Sequence, residues 1–144
     1  MTAPAAPSLC NARLAALARA PAGAADIPAD AADATADNPL CGDEIRLRLV
    51  WDGDTLARLE HRTRGCAVCK ASASLAATAC AGHPRDALLP LADVFELCLS
   101  SGDFTPLGGD FRILDGIAAY PSRLHCARLP WTALRRALAS SRPA

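Results

Sequence analysis

The sequence lacks the features that mark several large functional classes. Its 15 Lys and Arg residues are balanced by 15 Asp and Glu residues, so the formal net charge is zero. A chain without a basic excess lacks the electrostatic footprint of nucleic-acid binding, and we expect no nucleic-acid partner. No apolar run approaches the roughly 20 residues that a bilayer span requires, so we expect no membrane partner either.

The N-terminal residues do not resemble a secretory signal peptide. Residues 1–7 carry no basic side chain, and Arg13, Arg19 and Pro21 interrupt the apolar residues that follow. The sequence therefore predicts a cytoplasmic protein. Its 144 residues suit one domain, and the 51% of apolar residues are enough for a buried core.

Cysteine is the residue type that carries most information. The count is odd, and in a reducing compartment disulfides are not expected. A free cysteine is often a small buried hydrophobe, which is the prediction for Cys10, Cys80 and Cys98. The four that remain are Cys41, Cys66, Cys69 and Cys126.

The middle of the chain predicts a β-hairpin. Residues 44–51 alternate apolar and polar side chains, and residues 55–63 alternate in the same way, with Ala57, Leu59 and His61 on one face. The sequence Asp52-Gly53-Asp54 between them is typical of a tight turn. A third strand is expected in the segment before Cys41.

Helices are predicted on both sides of the hairpin. The first runs from Ser8 to Ala20 and is followed by an Ala/Asp-rich stretch, residues 22–37, that is either an extended crossing or a loose linker. Residues 67–80, 84–100 and about 127–140 form three more, with a loop over 101–120. Pro130 requires the last helix to begin nearby, which places Cys126 at its start. We predict an α+β fold, a three-stranded antiparallel sheet with helices on one face.

This arrangement brings several candidate ligands together. Cys41 and Asp43 precede the first strand of the hairpin and Cys66 follows the second, so the three lie near one another. Cys126 reaches the same place if the last helix begins there. Thiols at helix starts tend to ionise, and thiolates with a carboxylate or an imidazole suit zinc or iron–sulfur clusters. The spacing alone leaves a metal site and scattered core cysteines equally open.

Three short segments carry a family resemblance. They are Asn38–Asp43 (NPLCGD), Gly65–Ser74 (GCAVCKASAS) and Leu124–Leu129 (LHCARL), followed by Trp131. In order and spacing they resemble the IscU/NifU/SufU family of iron–sulfur cluster assembly scaffolds, over residues 21–138. Residues 107–123 are similar to the SufU-like branch, whereas His125 is typical of IscU-like members. Residues 1–37 then form an N-terminal helix and linker, and residues 38–144 the metal and sulfur-handling domain.

The resemblance implies a function and its partners. Members accept persulfide sulfur from a cysteine desulfurase; IscU-like members build a [2Fe–2S] cluster from it with iron, and SufU-like members hold Zn²⁺ and relay sulfur to acceptor apoproteins. We expect the scaffold function, with the zinc-dependent sulfurtransferase as the alternative and a purely structural zinc domain as a third reading. A monomer or weak homo-oligomer is expected.

The resemblance also implies a ligand set. Cys41, Asp43, Cys66 and Cys126 would hold iron, a cluster or zinc, and His125 is a possible exchange ligand. The sulfur acceptor is Cys41 in the zinc reading and Cys126 in the scaffold reading. Asp43 favours transfer over storage, since a carboxylate is a poorer partner than thiolate for a cluster iron. Cys69 forms a Cys-x-x-Cys pair with Cys66, but burial is the preferred interpretation of this residue.

Overall fold

The protein folds as a small antiparallel sheet covered on one face by helices. The computed structural model describes residues 11–140. The strands follow the order β1-β2-β3 and comprise β1 (Ala34–Asn38), β2 (Asp43–Asp52) and β3 (Thr55–Arg64). The helices are α1 (Ala12–Arg19), α2 (Ala67–Cys80), α3 (Arg85–Ser101) and α4 (Pro121–Ser140). The predicted α+β fold, including the third strand before Cys41, is confirmed.

The β2–β3 hairpin sets the two faces of the sheet. Burial in β2 alternates strictly over its first eight residues, so that Asp43, Ile45, Leu47 and Leu49 all face the helices. The register pairs Glu44 with Arg64, and it therefore places the first residue of β2 beside the last residues of β3. The carboxylate of Asp43 thus lies on the core face of the sheet, at the start of β2.

A β-bulge changes the expected pattern in β3. The register shifts between Val50 and Trp51, which moves the start of β3 by one position relative to a regular ladder. Leu56 is buried and Ala57 is exposed as a result. The prediction that Ala57 shares a face with Leu59 and His61 was wrong, since a bulge reverses the alternation on one side of itself.

The segment between α1 and β1 is an extended crossing, one of the two alternatives for residues 22–37. It runs beside the outer edge of β3, where the Ala25 N–H donates to the His61 carbonyl at 2.8 Å and the His61 N–H donates to the Gly23 carbonyl at 2.9 Å. The buried His61 ring contacts it too, with Nε2 2.8 Å from the Ala22 carbonyl oxygen. The crossing covers an edge that would otherwise be open.

Helix α2 has the bounds predicted for it and packs closely against α4. Its small residues, including Ala71, Ser72 and Ala73, are fully buried. The Ser72 hydroxyl donates to the Ala127 carbonyl at 2.6 Å and accepts from the Trp131 Nε1–H at 3.2 Å. This hydrogen-bonded contact fixes the distance between the two helices.

Helix α4 corrects the prediction for the last helix. It begins at Pro121, six residues earlier than expected, with a proline in a first-turn position that needs no N–H donor. Pro130 therefore lies inside the helix, where it lacks the N–H that would bond to the Cys126 carbonyl. Cys126 sits in the second turn and not at the helix start.

The remaining elements close the core. Helix α1 begins after Asn11, whose side chain accepts from the Leu14 N–H at 2.8 Å; the predicted cap, Ser8, lies outside the described residues. The segment 101–120 contains 3₁₀ turns at Gly109–Leu114 and Ile117–Ala119 and adds aromatic rings to the core. Phe95 stacks on Trp131 with ring centroids 4.4 Å apart. Within residues 11–140, no helix combines the length and apolarity needed to cross a membrane.

Gly23, in the crossing segment, should tolerate substitution poorly. Its φ is +79°, and a Cβ there would lie 2.4 Å from the Leu59 carbonyl oxygen and 2.7 Å from the Ala77 Cβ. We expect Gly23→Ala to lower the free energy of unfolding by about 3 kcal/mol, from backbone strain and overpacking together. Denaturant titration followed by circular dichroism measures the change.

Gly53→Ala is the matched control. Its φ is +60°, but within residues 11–140 no atom beyond its chain neighbours lies within 4 Å of the added Cβ. It should cost only about 1 kcal/mol, the strain alone. Equal losses for the two variants would contradict a close approach of the crossing to β3 and α2.

Candidate metal site

Cys41 lies in the tight turn between β1 and β2. Asn38 organises this turn: its side-chain oxygen accepts from the Leu40 N–H at 3.1 Å, and its carbonyl accepts from the Gly42 N–H at 2.8 Å. Gly42 has a φ of +77°, which a turn this tight requires. Cys41 is exposed, and so is its neighbour Leu40. The Cys41 thiol is thus presented at the solvent-facing rim of the site.

Asp43 is buried beneath this turn. It begins β2 on the same face as the core residue Ile45, and only 3% of its surface is exposed. Its Oδ1 accepts from the Cys66 N–H at 3.2 Å. Its Oδ2 is buried and has no hydrogen-bond partner among residues 11–140. Because a buried carboxylate oxygen without a partner is costly, this atom is suited to face a cation.

Gly65 allows the carboxylate to lie against the start of α2. A Cβ at this position would lie 2.6 Å from both Cγ and Oδ1 of Asp43. Any side chain would therefore displace Asp43. The glycine of the GCA segment is required by close packing.

Cys66 is the N-cap residue of α2 and is half-buried. The hairpin prediction that it lies near Asp43 agrees with the contact between its amide and that carboxylate. Cys66 thus lies between the buried carboxylate and the first turn of α2.

Cys126 lies on α4 and is a neighbour of Asp43 and Cys66. It is 1% exposed, and its Sγ donates to the Ser122 carbonyl at 3.6 Å. Burial raises the pKa of the Cys126 thiol, and the neighbouring Asp43 and Cys66 raise it further. Cys126 was expected at a helix start, where the helix dipole lowers the pKa of a thiol. That expectation was wrong, because α4 begins at Pro121 and Cys126 lies buried within it.

Three ligand atoms converge. One atom each from Cys41, Asp43 and Cys126 lies within 4.8 Å of the others, and we call these residues the three-donor set. Two thiols and a carboxylate match the donor preferences of zinc and of iron, so the residues fit either metal. Cys66 lies outside the set but contacts both Asp43 and Cys126.

His125 points to a different surface. It is exposed and does not join the three-donor set. It lines a groove of about 200 Å³ between β1 and α4, with Asp37, Asn38 and Arg128. Its role as an exchange ligand stays a prediction.

Arg123 is a further neighbour of the site. Its guanidinium lies beside the Cys66 and Cys126 thiols, and the negative charge of Cys66, followed by Cys126, raises the pKa of Arg123. The signal was the spacing of three between Arg123 and Cys126, which places both on one helix face. It was hidden because Cys126 was expected at the start of the helix, which would leave Arg123 outside it.

The other described cysteines belong to the core. Cys69 is fully buried, and burial first, then Asp43 and Cys66, raises its pKa. Burial raises the pKa of Cys80 to about 12 and also raises that of Cys98. These facts agree with the interpretation of all three as small hydrophobes. Cys10 lies outside the described residues.

Comparisons with known proteins place this geometry in context. The family model described as NifU-like N terminal domain matches residues 20–142. The zinc-dependent sulfurtransferase SufU of Bacillus subtilis (strain 168) is 32% identical over 105 residues, covering 72% of this chain and 71% of that protein. The iron–sulfur cluster assembly scaffold protein IscU of Streptococcus pyogenes serotype M1 is 33% identical over 108 residues, covering 73% and 67%.

The fold is also shared with a solved structure. The crystal structure of an iron–sulfur cluster assembly scaffold protein for the SUF system, from Fervidobacterium islandicum AW-1, aligns with a TM-score of 0.76. The alignment covers 90% of this chain and 96% of that one, at 24% identity. This likeness supports the architecture of sheet and helices.

The difference in burial among the cysteines predicts an order of alkylation. After metal removal by a chelator, Cys41 should react with iodoacetamide first at pH 8, because it is exposed. Cys80 should be protected, since a thiol of pKa about 12 is ionised in only about one molecule in 10,000 at that pH. Peptide mass spectrometry over time measures both rates.

Denatured protein serves as the control for this experiment. There the cysteines should react at similar rates, because burial no longer distinguishes them. Labelling of Cys80 as fast as Cys41 in the folded protein would contradict the positions described.

Proposed function

Because the chain belongs to the NifU-like N-terminal domain family, whose members serve iron–sulfur cluster assembly, we propose that it accepts sulfur from a cysteine desulfurase at Cys41. The observation that carries the proposal is the contrast between the exposed Cys41 thiol and the buried Cys126 thiol of one three-donor set. A large donor enzyme can reach only the exposed one.

The transfer step needs no external oxidant or reductant. The Cys41 thiolate attacks the terminal sulfur of the desulfurase persulfide, and an S–S bond forms to Cys41. The S–S bond within the donor persulfide breaks, and the desulfurase cysteine leaves as a thiolate. The transferred sulfur stays at the same oxidation level, and Cys41 becomes the persulfide.

Zn²⁺ fits the donor atoms as a resident metal. Cys41, Asp43, Cys66 and Cys126 would hold it, with Cys66 completing a tetrahedral set. When bound, zinc keeps a coordinating thiol deprotonated near neutral pH. The protein's own contribution is to keep Asp43 in place, through the Cys66 N–H, so that the site persists when one thiolate departs.

The elements that carry the ligands favour Cys41 as the one that departs. Asp43 begins a paired strand, Cys66 caps α2 and Cys126 lies inside α4. Cys41 lies in a four-residue turn that protrudes from the sheet. Moving Cys41 requires changes in the turn only, whereas moving any of the others disturbs the core.

Cluster assembly on the site is the second candidate. It is favoured by Asp43, a hard ligand among thiols, which would let an iron–sulfur cluster leave for an acceptor apoprotein. In that function iron is a substrate, and Cys126 would be the sulfur acceptor. The buried position of Cys126 is the observation that weighs against it.

Mass spectrometry after incubation with desulfurase and cysteine tests the proposal. We expect one added sulfur on the peptide containing Cys41, and its loss in Cys41→Ala. Cys98→Ala is the matched control, because Cys98 lies in α3, away from the three-donor set, and should leave the modification unchanged. Persulfide on Cys126 in the native protein would instead support cluster assembly.

The metal content separates the candidates further. Sulfur relay predicts about one zinc per chain and no visible absorption, whereas assembly predicts a thiolate-to-iron band after addition of iron. A purely structural zinc site would make Asp43→Ala lose metal and stability together. If Asp43→Ala stays folded and metal-loaded but accepts no sulfur, the structural reading is excluded.

A further inference from the structure

A second polar site lies at the junction of α1, α2, the crossing segment and β3. It is a pocket of about 240 Å³ whose lining includes Arg19, Arg62 and Lys70. The three cations come from α1, β3 and α2 in turn. The lining also includes Thr63 and the buried His61, and among residues 11–140 it contains no carboxylate.

These cations differ from six other arginines among the described residues. Arg13, Arg48, Arg58, Arg112, Arg128 and Arg135 all form ion pairs with carboxylates. Among residues 11–140, Arg19, Arg62 and Lys70 have no ion pair and no side-chain hydrogen bond to a protein acceptor. In a chain of zero net charge, this is a local concentration of uncompensated positive charge.

A structural role in the helix dipole accounts for only one of these three cations. Arg19 lies in the last turn of α1, where a cation interacts favourably with the helix dipole. That role does not explain why Arg62 and Lys70, from two other elements, line the same pocket. Like charges that line one pocket repel one another unless an anion lies between them.

We propose that this pocket binds a phosphate group, either as free phosphate or as the end of a small phosphorylated molecule. A phosphate carries about −1.5 to −2 charges near neutral pH, and so suits three cations better than a single carboxylate does. The guanidinium fork matches its oxygens, and Lys70 adds a point charge. One water molecule takes about 30 Å³ in the liquid, so a pocket of about 240 Å³ admits a hydrated tetrahedral anion.

The pocket is independent of the sulfur function proposed above. None of its three cations belongs to the three-donor set. Lys70 does follow Cys66 by one helical turn, with its N–H bonded to the Cys66 carbonyl at 3.1 Å. The two sites are therefore about one helical turn apart along α2.

Nuclear magnetic resonance of the full-length, ¹⁵N-labelled protein tests the proposal. Inorganic phosphate and ADP are titrated separately at constant ionic strength, with sodium chloride as the balancing salt. We expect saturable shifts confined to amides around the pocket, including Ala24, Ala25, Thr63 and Lys70. Binding of both probes indicates recognition of the phosphate group itself, and binding of ADP alone indicates a larger phosphorylated ligand.

A charge-matched pair of variants decides whether the pocket is responsible. Arg62→Gln combined with Lys70→Gln should raise the dissociation constant about tenfold or more, since two of three charged contacts are lost. Arg112→Gln combined with Arg135→Gln removes the same charge elsewhere and should leave it unchanged. The proposal is overturned if neither probe shifts these amides, if the shifts centre on the three-donor set, or if both double variants weaken binding equally.

Discussion

The burial of one carboxylate constrains the whole site. Asp43 lies on the core face of β2, where an ionised group without compensation would cost several kcal/mol. The fold offers it the Cys66 N–H on Oδ1, leaves Oδ2 without a hydrogen-bond partner among residues 11–140, and brings the Cys41 and Cys126 thiols within 4.8 Å of a carboxylate oxygen. Gly65 is needed for this contact, and a metal ion is the partner that best completes it.

The helices determine which part of the site can move. Ser72 on α2 bonds to the Ala127 carbonyl and to Trp131 on α4, so the two helices that carry Cys66 and Cys126 are held together. The turn with Cys41 is held by its own hydrogen bonds to Asn38, and among residues 11–140 no helix is hydrogen-bonded to it. A site with rigid ligands on one side and an exposed turn on the other suits a reaction in which one thiolate leaves while the rest remain in place.

Much of this was predictable from the sequence, and the exceptions have physical reasons. Hairpin alternation and turn residues brought Cys41, Asp43 and Cys66 together correctly, and three sequence segments identified the family. The start of α4 was misplaced because Pro130 was taken as a first-turn proline, although Pro121 is the one that satisfies that rule. The burial of Asp43 could have been predicted by extending the alternation of β2 back to that residue. No local pattern predicts the bulge at Val50 and Trp51 or the pocket around Lys70, because both depend on tertiary contacts. The metal and the role of each ligand stay predictions.

X-ray absorption spectroscopy of the zinc-loaded protein tests the central claim most directly, because it reports the atoms bound to the metal. We expect three sulfur neighbours at about 2.3 Å and one oxygen at about 2.0 Å, with the oxygen lost in Asp43→Ala. A shell of four sulfurs in the native protein would mean that Cys69 binds in place of Asp43. That result would contradict a site organised around the buried carboxylate.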